Sequence, residues 1–293
     1  MPMKKIKPFI IGICGNSGCG KTALAERIEN LLGKTNVLTI SCDDYHKWGR
    51  GDKNWENFTH LNPRANNLET LSQDIKTLKS GIATKKLYYC HETGKFLGPK
   101  KTHPRKYIIF EGLHPFYTPA LRKLFDFKIF LDIDPSLNLH FKIHRDVGER
   151  GHSKEKVLEA IKKREADLKK YILPQKKYAD MVIEKRPILR LREDKQDTAV
   201  EYVFRHNKKP SAKKIYNLLK IIIPKKMSYN PKKDILKIPR ILSDLEIGKI
   251  QKLAKSNFGI RLEPNIYCLS QLLISYNLSA RGAKIGRLPH THR

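Results

Sequence analysis

Phe9-Ile10-Ile11-Gly12-Ile13-Cys14-Gly15-Asn16-Ser17-Gly18-Cys19-Gly20-Lys21-Thr22 is the stretch that decides the fold. Residues 7–14 form a short apolar run rich in β-branched side chains, the pattern of a strand buried on both faces. Residues 15–22 match GxxxxGK[ST], and the TALAERIENLLG that starts at Thr22 carries apolar residues at helical spacing, with Gly33 as the stop. Strand, glycine turn and helix in that order separate a phosphate loop from a chance match. The backbone N–H groups of Gly15, Asn16, Ser17, Gly18, Cys19 and Gly20, with the helix N-terminus, are placed to bind phosphate oxygens. Lys21 would bridge the β- and γ-phosphates and the Thr22 hydroxyl would ligate Mg²⁺, so ATP and Mg²⁺ are the expected cofactors. The bland alternative is a glycine turn with a solvated lysine.

Outward from this motif the chain alternates strand and helix. NVLTISC at 36–42 reads as a second buried strand, RKYIIFEG at 105–112 as a third, DFKIFLDI at 126–133 as a fourth and ADMVIE at 179–184 as a short last one. Between them lie helical patterns at Leu68 to Lys79, from Ser136 into a charged glycine-containing turn, and along SKEKVLEAIKKREADLKKYIL at 153–173. KLYYCHETGKFLG at 86–98 reads as a hairpin or loop, and the polar stretch 47–67 as a substrate loop. This order predicts an α/β fold, a P-loop NTPase-type mainly parallel sheet flanked by helices. After residue 187 the character changes to basic and apolar segments with few acids. Residues 1–186 are expected to form the kinase-type domain, and 187–293 a divergent basic C-terminal region that either completes the sheet or forms a small subdomain.

Three further groups carry chemistry. Asp43 ends the second strand, and in open α/β sheets ligands gather at the carboxyl edge of the strands. An alcohol attacking a γ-phosphorus needs a carboxylate to take its proton, so Asp43 is the candidate base and Asp44 a candidate metal assistant. A helix cap or surface turn is the alternative reading of this pair. Glu111 ends the third strand, where a carboxylate needs a cation to offset its desolvation, and is the candidate metal ligand beside Thr22; an ordinary strand-end acid is the competitor. Lys142, Arg145, Asp146 and Arg150 read by spacing either as a solvated helix with salt bridges or as a clamp and lid over a transferring phosphoryl group.

With 59 Lys and Arg against 29 Asp and Glu, the formal net charge is +30. That charge keeps a nucleotide-gated nucleic-acid binder as a remote alternative, but the lysines are dispersed and no nucleic-acid module is evident. Five cysteines without metal-ligand spacing describe no disulfide framework and fit a reducing compartment. No run of about 18 apolar residues marks a spanning helix. The basic-then-apolar N-terminus leads straight into the phosphate motif, which argues for a first strand rather than a leader. The expectation is a cytoplasmic enzyme with a small-molecule substrate, a sugar phosphate or nucleoside, with no nucleic-acid or membrane partner and with a homodimer allowed.

SGCGKT, DDYH, NPRANN at 62–67, CHETG at 90–94, EGLHPFY at 111–117, RDVGERGHS at 145–153 and YILPQKKYADMVI at 171–183 together resemble the phosphoribulokinase/uridine kinase family. The resemblance spans residues 8–186 and is closer to the plant and cyanobacterial phosphoribulokinases. It implies phosphorylation of ribulose 5-phosphate to the 1,5-bisphosphate, with Lys21 and Asp43 as catalytic groups. It further implies that Lys142 and Asp146 line the catalytic lid, and that His46, Arg50, Arg145 and Arg150 contact the sugar phosphate, with Arg64 and His91 as further substrate candidates. Uridine or cytidine kinase activity, or another sugar-phosphate acceptor, is the alternative, kept by Trp48, Trp55 and Phe58 in the loop. The resemblance also implies a redox cysteine at Cys19. Its partner would lie two residues before the acidic pair, whereas Cys42 immediately precedes it; one residue along a strand reverses the side chain, so two small buried residues are the favoured reading. GDKNWENFTHL at 51–61 and the region 187–293 depart from the family pattern.

Overall fold

The computed structural model describes residues 7–149, 151, 153–188, 200–224, 226–239, 242–265, 267–283 and 285. The first strand, β1 (Phe9–Gly15), runs into α1 (Lys21–Leu32), followed by β2 (Val37–Ser41) and α2 (Leu68–Lys79). A separate antiparallel hairpin, β3 (Thr84–Tyr89) and β4 (Phe96–Thr102), precedes β5 (Tyr107–Gly112), the short α3 (Pro119–Arg122), β6 (Phe127–Ile133), α4 (Pro135–Ile143), α5 (Lys154–Asp167) and β7 (Met181–Pro187). Then come β8 (Val200–His206), α6 (Lys213–Lys220), β9 (Ser228–Asn230), β10 (Ile235–Pro239), α7 (Asp244–Phe258) and α8 (Cys268–Ala280).

Eight strands form one sheet in the order β2-β5-β1-β6-β7-β8-β10-β9. The five from β2 to β7 in that order are parallel, and the last three are added antiparallel. The period of two along each strand divides the core between the faces. Ile11 and Ile13 of β1 point with Tyr107 and Ile109 of β5 to the face covered by α1, α6, α7 and α8. Ile10, Cys14, Ile108 and Phe110 point to the opposite face, covered by α2 and α3. Each strand of the centre is therefore apolar at successive positions, which is why it reads as a continuous run.

The segments after residue 187 that the sequence leaves open, EYVF and IYNLLK, are a strand and a helix respectively. The chain after β8 packs onto α1: Arg27 lies over the Tyr267 ring, 3.3 Å from its centroid, and the Gln271 side chain donates to Arg27 O at 3.3 Å. Two expected helices change form before their ends. α4 gives way to a π-helical turn over His144–Glu149, and α5 stops at Asp167, where a second π-helical turn, Leu168–Ile172, leads to a 3-10 turn containing Pro174. The change accompanies a switch in burial, since α5 buries only Val157 whereas Ile172 is inside the core.

Candidate active site

The phosphate loop is shaped by local backbone chemistry. Gly18 and Gly20 adopt φ of 80° and 93°, which side-chain-bearing residues rarely tolerate. A Cβ on Gly18 would also stand 3.1 Å from Lys142 Cγ, so the absence of a side chain lets α4 close on the loop. Asn16 and Asn138 brace the loop: Asn16 Nδ2 donates to Asn138 Oδ1 at 3.3 Å, and Asn138 Nδ2 donates to Ser17 O at 3.2 Å. From β7, Lys185 Nζ donates to Cys19 O at 2.8 Å. Neither Asn138 nor Lys185 is among the sequence candidates. Gly18, Cys19 and Gly20 form, with Phe141, His144, Arg145 and Lys185, a hollow of about 280 Å³ outside the loop.

Lys21 lies folded back in the loop, donating to Asn16 O at 3.1 Å. Burial opposes its charge, but Cys19, Glu111 and Asp43 outweigh that and hold the ammonium above its ordinary pKa. Thr22 Oγ1 donates to Glu111 Oε1 at 3.2 Å, so the hydroxyl in the first turn of α1 and the carboxylate at the end of β5 do meet. Burial pushes the Glu111 carboxyl up, with Lys21 pulling it back and Asp43 adding to the rise. A buried carboxylate under this pressure, beside a hydroxyl and a phosphate loop, fits a divalent cation, which Thr22 and Glu111 would hold. Among the described residues no cluster of three or more His, Cys, Asp or Glu is present that could hold a metal ion.

Asp43 and Asp44 diverge although they are adjacent. Asp43 is partly open, with Oδ1 3.5 Å from His46 Nε2 and Oδ2 3.4 Å from His91 Nε2. Asp44 is buried in an ion pair with Lys86 and accepts the Tyr89 N–H at 2.8 Å. Both its oxygens are committed to the hairpin, which corrects the expectation that it assists a metal: its role is to dock β3 against the 3-10 turn Cys42–Tyr45.

The basic candidates separate in the same way. His46 is buried, and its Nδ1 lies 2.8 Å from Asn66 Oδ1. Arg50 is exposed at the mouth and donates to Glu92 O at 3.2 Å and to His91 O, linking the loop to the hairpin, and among the described residues no acid pairs with it. Arg145 forms a two-toothed pair with its neighbour Asp146, at 2.8 and 3.1 Å. Lys142 is buried against Gly18, and its pKa is lowered to about 8, chiefly by burial and then by Arg164 and Arg145. Arg64 is exposed on the turn Pro63–Ala65, and among the described residues no hydrogen bond or ion pair joins its guanidinium to Asp43. Arg150 lies outside the described residues.

The aromatic loop packs on itself. Trp55 and His60 stand 3.9 Å apart between ring centroids, Trp48 and Phe58 5.7 Å, and Trp55 Nε1 donates to Gly49 O at 2.8 Å. Burial lowers the pKa of His60, and of His114 behind it, to about 3, so both stay neutral and form an uncharged wall. Cys14, Cys19 and Cys42 are buried free thiols whose pKa burial raises.

The profile of the Phosphoribulokinase / Uridine kinase family matches residues 10–217. The chain belongs to this family. Among its relatives is the phosphoribulokinase of Synechocystis sp., 44% identical over 187 residues that make up 64% of this chain and 56% of the relative. A uridine kinase of Ligilactobacillus salivarius is 33% identical over 190 residues, covering 62% of this chain and 88% of the relative. The chain spans a little over half the length of the phosphoribulokinase from Synechocystis that it matches. In fold it resembles the phosphoribulokinase from Rhodobacter spheroides, with a TM-score of 0.65 over 92% of this chain and 99% of that one at 18% identity. As a family member, the chain places its phosphate loop, Asp43 and Glu111 along the carboxyl edge of one parallel sheet. Among the described residues no helix is long and apolar enough to cross a membrane.

Proposed function

We propose that this chain is an ATP- and Mg²⁺-dependent kinase that phosphorylates a hydroxyl of ribulose 5-phosphate, acting in the cytoplasm on small molecules. The observation that carries the reading is Asp43, a partly open carboxylate flanked by His46 and His91 on the sheet edge that bears the phosphate loop. The similarity to the Synechocystis phosphoribulokinase supports this acceptor over others. So does the loop's aromatic cluster. Trp48, Trp55, Phe58 and His60 are packed against one another, and the Arg50 guanidinium, with His91 near it, stands at the mouth where a phosphate ester would enter.

In the mechanism that follows, the loop's N–H groups and Lys21 hold the β- and γ-phosphates, and Asn138 and Lys185 keep the loop from opening. Thr22 and Glu111 would hold Mg²⁺, which supplies charge neutralisation between the β- and γ-phosphates when bound. Asp43 takes the proton of the attacking hydroxyl as its oxygen bonds to the γ-phosphorus and the bond to the ADP oxygen breaks. Lys142, set against Gly18, meets the charge that spreads over the transferring group. The hollow beside Phe141 and His144 is suited to the nucleoside end.

The test is Asp43→Asn with ribulose 5-phosphate as acceptor. Turnover is expected to fall about 10²–10⁴-fold, the usual weight of a positioned base, while ATP affinity stays within about twofold. Unchanged turnover would remove Asp43 from the role. Uridine or cytidine is the second reading, favoured by the similarity to a uridine kinase that is covered over most of its length.

A further inference from the structure

His46 meets Asn66 through Nδ1, and the amide shows which atom carries the proton. Asn66 Nδ2 donates to His60 O at 3.1 Å and to Asn62 O at 2.8 Å. Turned over, the amide would set its oxygen against two carbonyl oxygens and its NH₂ against a ring nitrogen. Oδ1 therefore faces His46 and accepts, and Nδ1 is the donor across 2.8 Å. The amide is itself clamped. His46 and Asn66 form an isolated antiparallel backbone bridge, Lys47 N donates to Ala65 O at 3.0 Å and Asn67 N to Tyr45 O at 2.7 Å. The rings of His60, Tyr89 and Trp55 surround the imidazole at 4.7, 5.7 and 5.9 Å between centroids.

We propose that Asn66 is a positioning residue that holds neutral His46 in the Nδ1–H tautomer, leaving a bare Nε2 beside the base. Nε2 lies 3.5 Å from Asp43 Oδ1. With the opposite tautomer, an Nε2–H would donate to that oxygen and occupy the lone pair that has to receive the acceptor's proton. With Nδ1–H, neutral His46 has nothing to give Asp43, and an acceptor hydroxyl at the mouth meets Asp43 Oδ1 and the bare Nε2 with no competing donor from this ring. Protonation of the ring closes this arrangement, because imidazolium donates from Nε2 to Asp43. The titratable groups facing His46 are Asp43, His60, Tyr89 and His114, with His91 on the far oxygen of Asp43. This explains physically why NPRANN and DDYH are paired segments: the second asparagine of one sets the proton of the histidine of the other.

The catalytic consequence rests on the reading of Asp43 as base; the tautomer does not. The experiment is a long-range ¹H–¹⁵N spectrum of the full chain labelled at histidine, followed through a pH titration, with the His46 signals assigned by their loss in His46→Gln. The expected neutral form carries its proton on Nδ1. An Nε2–H signal from the neutral ring in the wild-type protein overturns the proposal, whether or not any variant folds. In Asn66→Ala the ring is expected to move toward Nε2–H, with an acceptor turnover about 10–100-fold lower and an unchanged ATP affinity. An unchanged tautomer in that variant removes Asn66 from the role. In Asn66→Asp a carboxylate in place of the amide favours imidazolium, so the acid limb of the rate profile moves to higher pH; a limb that stays put or moves down contradicts the proposal. If no acceptor is turned over by the wild type, the kinase reading fails while the spectra still decide the tautomer.

Discussion

Asp43 and Asp44 stand side by side in the chain, one open between two histidines and the other sealed against Lys86 and the Tyr89 N–H. Removing the sealed one leaves a buried ammonium without its partner, so Asp44→Ala is expected to cost about 3 kcal/mol of stability in a urea titration. A change below about 1 kcal/mol would show that Lys86 finds water instead. For Lys142 the consequence lies in pH. With its pKa lowered to about 8 by burial, the ammonium is present below that pH and lost above it, so the rate is expected to fall as pH rises through about 8. Lys142→Arg should push this alkaline limb up, since guanidinium keeps its charge; a limb unmoved in that variant would assign it to another group. At this scale, legibility in the sequence follows distance along the chain. Gly15 to Thr22 were readable because turn chemistry is local, and Asp43 and Glu111 because strand ends point to one edge. Asn138 and Lys185 were not, because they act on the loop from 121 and 166 residues away.

The elements around the acceptor mouth are held by few bonds, each readable as a lever. The loop that carries Trp55 and His60 is tied to α5: Thr59 Oγ1 donates to Asp167 Oδ2 at 2.7 Å, and Lys163 Nζ donates to Trp55 O at 3.2 Å and Glu56 O at 3.0 Å. Loosening this tie should disturb the acceptor and spare the nucleotide. Thr59→Val is expected to raise the acceptor KM roughly tenfold, the weight of one hydrogen bond to a charged group, with ATP KM unchanged. Equal shifts in both constants would mean that the loop supports the whole domain instead. The helix Leu68–Lys79 was legible to the residue because its apolar spacing is unbroken. The helices ending at Ile143 and Asp167 were overrun by their sequence patterns because a π-helical turn keeps helical composition while changing the register, and composition is all that periodicity sees.

For the whole molecule, the sheet from β2 to β7 is the parallel arrangement that alternating strands and helices dictate, and β8, β10 and β9 continue it, each antiparallel to the strand before it in the sheet. That continuation was illegible from 187 onward because its segments mix short strand and helix patterns of similar length. Buried neutral histidines make the molecule acid-sensitive. His114 has its folded pKa lowered to about 3 by burial against an ordinary value of 6.5, so the unfolded chain takes up the proton first. The stability it contributes is full above pH 6.5 and is lost as pH falls toward 3, at up to about 1.4 kcal/mol per pH unit. Comparing urea midpoints at pH 7 and 5, His114→Leu should flatten this loss; an equally steep loss in the variant would assign it to carboxylates. The formal net charge of +30 is compatible with anionic substrates, and the claim that these include a sugar phosphate has one direct test. The measurement is ATP consumption with Mg²⁺ against ribulose 5-phosphate, ribose 5-phosphate, uridine and cytidine in parallel. The account predicts a kcat/KM for ribulose 5-phosphate at least about 100-fold above the other three, since Arg50 stands at the mouth and the aromatic rings are already packed against one another. A preference for uridine or cytidine would contradict it and put the acceptor against Trp48 and Trp55.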